Sequence, residues 1–204
     1  MAKVLFLLSL CAVAYPGPRR APPEVFAAAQ KGLLPLAGDM SPDLGFVPGD
    51  TPQMLRLDEP FQFRTITPAA VIAYKPGQTL GSLLSDTQAW EFPVMVRGEP
   101  RALLTVDKAG GGWEAVGIGK AQLARQIESV NKRWSTSTRG ALIFVVVYQA
   151  SQHFFSVPGK KLENLTPFTF TVGGGKNCST LAPLADTIAR IRPGVMRSVG
   201  QAAP

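Results

Sequence analysis

Apolar residues recur every three to four positions between residues 120 and 134. Leu123, Ile127, Val130 and Trp134 share one face, while Arg125, Glu128, Lys132 and Arg133 fall largely on the others. That spacing predicts an amphipathic helix. Upstream, residues 92–96, 101–106 and 113–116 read as short strands, separated by Gly98-Glu99-Pro100 and by Gly110-Gly111-Gly112. Such a run predicts an antiparallel meander. The helix must bury its stripe, and the meander is the nearest surface able to receive it.

The flanks are less regular. Residues 23–34 predict a short helix, with Pro23 suited to its first turn, Glu24 complementing its dipole, and Val25, Phe26, Ala29 and Leu33 on one face. Residues 35–52, rich in proline, glycine and aspartate, read as loop. Residues 61–66 alternate as a half-buried strand, and Thr67-Pro68 then caps a helix that Pro76-Gly77 ends. Residues 141–149 are nearly all apolar and β-branched, the pattern of a central strand. Residues 151–157 are expected to continue it after a bend, residues 168–172 to form another strand, and residues 184–191 a last helix stopped by Pro193-Gly194. The fold class expected is α+β: one antiparallel sheet of four to six strands on one long helix, a cystatin-like layout.

The first residues change where this domain is placed. Lys3 precedes an apolar run broken only by Ser9, and Ala12-Val13-Ala14 puts small residues at the −3 and −1 positions of a cleavage site. This is the layout of an export leader cleaved after Ala14. The run is too short to span a bilayer, which takes roughly 20 residues, so no stable membrane span is expected after cleavage. A lipoprotein box at Cys11 is the weaker alternative, because Leu10 stands where a small residue is wanted. The expected organisation is a leader over 1–14, a proline-rich tether over 15–22, one α+β domain over 23–192 and a tail over 193–204. Only Cys178 remains after cleavage, so no intramolecular disulfide is available.

Charge is uneven. Residues 22–59 carry two cations against six acids, and residues 60–204 sixteen against eight, within a net charge of +7. A basic body favours anionic surfaces such as lipid headgroups or acidic polysaccharide. With no dense Lys/Arg block, nucleic acid is not an expected partner.

The run Trp90-Glu91-Phe92-Pro93-Val94, then residues 101–106, then Gly112-Trp113-Glu114-Ala115-Val116-Gly117-Ile118-Gly119, resembles a pattern in uncharacterised bacterial exported α+β proteins of unknown function. Its glycines, proline and core apolar residues specify shape. The resemblance implies the fold and the export, and no catalytic residue.

Chemistry is sparse. Gly117-Ile118-Gly119 opens a helix after a strand, but Gln122 replaces the third glycine of a dinucleotide fingerprint. Gly173-Gly174-Gly175-Lys176 is followed by Asn177 where a phosphate loop needs Ser or Thr. No cofactor is therefore expected. One histidine, one mature cysteine and scattered acids give no metal-ligand spacing. His153 with Cys178 is the one conceivable nucleophilic dyad, the imidazole taking the thiol proton. Asp86, Asp107 and Glu114, on or near the meander, are the carboxylates open to glycosidase-type chemistry. Trp90 and Trp113 are candidate ligand contacts, and Trp134 belongs to the helix stripe. The function expected is a non-enzymatic exported domain that binds a protein, peptide or envelope component through the sheet face left uncovered by the long helix. The alternative is a hydrolase using Cys178 and His153.

Overall fold

The computed structural model describes residues 20–38, 40–134, 142–157, 164–168 and 181–201. They form an α+β fold in which helices and two sheets alternate as layers. The first sheet, in the order β1-β4-β5-β6, comprises β1 (Leu55–Leu57), β4 (Trp90–Val96), β5 (Glu99–Ala109) and β6 (Gly112–Gly119), all antiparallel. The second is ordered β3-β2-β7-β8-β9: β3 (Leu84–Asp86), β2 (Arg64–Ile66), β7 (Ile143–Val147), β8 (Gln152–Ser156) and β9 (Thr166–Pro167). Two sheets thus replace the single one expected. Within the second, β2 and β7 run parallel, Arg64 beside Val145.

Strand alternation builds the layers. Phe92, Val94 and Val96 of β4 and Ala102, Leu104 and Val106 of β5 face helix α1 (Pro23–Ala37). On the opposite face Leu103 packs with Leu123, Ile127 and Val130 of helix α4 (Ala121–Trp134), which also meets Phe144 and Val146 of β7 and Phe155 of β8. The outer face of the second sheet, with Ile66, Val145, Val147 and Phe154, is covered by α2 (Pro68–Ala73), α3 (Leu80–Leu83) and α5 (Leu184–Gln201). Helix α1 thus lies on the face of the first sheet turned away from α4, and the α2–α3–α5 group on the outer face of the second.

Residues 61–66 stitch the sheets together. Phe61 exchanges two backbone hydrogen bonds with Glu91 of β4 (3.0 and 2.8 Å), and the chain then enters the second sheet as β2. Thr67 caps α2 as expected, its hydroxyl accepting from the Ala70 N–H at 3.2 Å.

Three local expectations are corrected. The segment after β7 does not continue that strand: Ser151 takes a left-handed φ of 49° and reverses the chain into antiparallel β8. Helix α5 does not stop at Pro193 but runs to Gln201, so most of the expected tail is helical. Ile188, Ile191 and Val195 are buried on one side of it, whereas Pro193 is exposed, so burial outweighs the lost backbone bond. Helix α1 likewise passes through Pro35. Residues 1–14, 169–172 and 173–180 lie outside the described residues, and with them the leader, most of the last expected strand and Cys178.

Candidate functional site

The chemistry-bearing side chains collect where the two sheets meet beside the start of α4. Glu91 is a charged residue within an otherwise apolar strand, and alternation turns it away from α1. Its register partner on β5 is Thr105. After β6, Lys120 adopts a left-handed φ of 57° and its carbonyl receives the Ala124 N–H, which opens α4. The same turn brings the Lys120 ammonium to Glu91 Oε1 at 2.6 Å and to Thr105 Oγ1 at 3.1 Å, while Thr105 donates to Glu91 Oε2 at 3.0 Å. The Glu91 side chain is 5% exposed and that of Lys120 45%. A buried carboxylate is tolerable only when paired and hydrogen-bonded, and both conditions are met here.

His153 approaches from the second sheet. It lies opposite Val146 in the β7–β8 pair, and its ring packs on Phe63 with centroids 5.2 Å apart. Burial, and then the charge on Lys120, hold its pKa below the ordinary 6.5, so the imidazole is neutral at neutral pH. Tyr148, in the 3-10 turn Tyr148–Ala150 after β7, is 59% exposed. Its phenol is pushed up by partial burial and by the charges of Glu91 and Asp107. Lys120 is thus near enough to His153, and Glu91 to Tyr148, for their charges to be felt.

The residues singled out from sequence fare differently. Trp90 is buried at 4% exposure in the α1 core. Trp113 is half-buried at the edge strand β6, and Lys108 Nζ lies 5.4 Å from its ring centroid. Asp86 sits on β3 of the second sheet, paired with Arg64 at 2.6 Å. Asp107 and Glu114 are register neighbours on β5 and β6. His153 is placed but its proposed partner Cys178 is not among the described residues. Gly117 and Gly119 belong to β6, whose neighbour β5 is antiparallel, so they serve a strand-to-helix turn and no dinucleotide-type unit.

Among the described residues no group of three or more His, Cys, Asp or Glu could hold a metal ion, and no helix is long and apolar enough to cross a membrane. The signal for this site was a glutamate inside a core strand, weak until Lys120 and Thr105 are brought beside it. No protein-family model matches this chain, and no curated protein or solved structure matches it either.

Proposed function

We propose that the chain is an exported, non-enzymatic domain that binds a peptide or envelope component at the surface around Lys120, Tyr148 and His153. One observation carries this reading. Glu91 is committed to Lys120 and Thr105, while exposed Tyr148 leaves an amphipathic ring for contact. The antiparallel meander with α4 on one face supports the cystatin-like reading, a likeness of architecture that assigns no function by itself. The apolar leader motivates the export half of the proposal, as does the likeness to exported bacterial proteins.

A photo-reactive residue in place of Tyr148, expressed in a Gram-negative host and illuminated, tests it. The expected result is a crosslink to an envelope component, lost on adding Lys120→Met, with mature protein beginning at Tyr15. Crosslinks only to cytosolic proteins, or an intact Met1 terminus, would overturn it. The second reading, hydrolysis by Cys178 and His153, rests on the neutral imidazole. It predicts ester cleavage that Cys178→Ser abolishes.

A further inference from the structure

Helix α5 carries two apolar stripes, and among the described residues only one is covered. Leu184, Ile188, Ile191 and Val195 are buried against the second sheet. On the solvent side Ala185, Ala189, Pro193, Met196 and Val199 are all exposed, Met196 at 53% and Val199 at 40%. A helix apolar on both sides normally has both covered. Arg190 and Arg197, seven residues apart and hence on one flank, are exposed beside this stripe. Arg192 is spent inside the fold, donating to the Val71 and Tyr74 carbonyls at 3.1 and 2.7 Å, which fixes α5 against the end of α2. Neighbouring α2 adds Ile72, 41% exposed, and Lys75 follows it at the surface. The one acid on α5 is Asp186.

We propose that the outer side of α5 is a docking surface for an anionic lipid bilayer, lying in the headgroup plane. Charge complementarity selects this occupant: a shallow apolar stripe edged by exposed arginines, on a chain of net charge +7, fits acyl chains below and phosphates around it. The helix cannot cross the bilayer, so it rests on the surface. This proposal does not depend on what the surface around Lys120 and Tyr148 binds.

Co-sedimentation of the full chain with vesicles of phosphatidylglycerol and phosphatidylcholine, against phosphatidylcholine alone, is the test. Binding is expected only with the anionic lipid, weakening about fivefold per arginine removed, so by more than tenfold in Arg190→Gln/Arg197→Gln. Met196→Ser/Val199→Ser should weaken it while leaving the salt dependence. Far-UV circular dichroism confirms that both variants, altered only at exposed positions, stay folded; if one does not, the other decides. Equal binding to neutral vesicles, or binding that neither variant weakens, would assign attachment to the leader and overturn the proposal. So would the absence of binding, or a loss of self-association in Met196→Ser/Val199→Ser that shows a second copy to be the occupant.

Discussion

The two sheets differ in how far apart along the chain their partners lie. In the first, β4, β5 and β6 are consecutive and joined by tight glycine-containing turns, with the three-residue β1 added at the edge of β4. In the second, β2 needs β7, a strand that follows the whole first sheet and α4 in sequence. Local pairing writes itself into turn residues and alternation. Distant parallel pairing leaves no such mark, because the segments share only their apolar character. The shared α4 layer ties the two halves together, so damage to either is expected to be felt by the whole.

The largest expected effects come from opposite outer cores. Phe92→Ala, which removes the ring packed edge-on to Phe26 at 5.4 Å, and Phe154→Ala, on the far side of the second sheet, should each cost about 3–5 kcal/mol. Urea unfolding should stay a single transition in both. Two separated transitions would show that the sheets are independent units.

Gly32 breaks the first half selectively. A Cβ there would collide with that of Ala115 on β6, so Gly32→Ala forces α1 off the sheet and should cost about 1–3 kcal/mol. Hydrogen exchange should rise in α1 and β6 before it rises in β7 and β8. At the seam, Lys120→Met leaves the Glu91 carboxylate buried with Thr105 alone and should cost about 2–3 kcal/mol, less than a fully buried pair because Lys120 is half exposed. Glu91→Gln should cost less than Lys120→Met; the reverse order would mean the pair adds nothing beyond packing. Arg192→Ala, in the second half, uncaps α2 and should cost about 1–2 kcal/mol by thermal melting.

Acid separates the halves most gently. His153 has a folded pKa below 6.5, so the unfolded chain binds more protons, and its stabilising contribution, complete above that pH, falls as pH drops through the folded value. Asp50 marks the first half: burial pushes its carboxyl up, but the Val47 N–H and Arg101 outweigh this and leave it below 3.8. Its contribution is present above 3.8 and is lost at lower pH. His153→Phe should flatten the first decline and leave the second, read from urea midpoints across pH.

The residues explain how much could be read in advance. The meander, α4 and the Thr67 cap were legible because their signals are local: Gly110 and Gly111 take the positive φ a turn needs, and Leu123, Ile127 and Val130 mark one helix face. Strands β1 and β3 are three residues each, too short for a period to show. The β7–β8 reversal was hidden because a serine holds the left-handed position glycine usually takes. Pro193 misled because its missing N–H matters less than the buried face it shares a helix with. The candidate site was least legible, since Glu91, Thr105, Lys120 and His153 come from four separate segments.

The stitch at Phe61 also sets a timetable. As synthesis proceeds from the N-terminus, β2 and β3 appear while the strand that will flank β2 has yet to be made. Until β7 is made, the β2 amides that pair with it have no strand to meet, and an unpaired strand edge of this kind favours association with other chains.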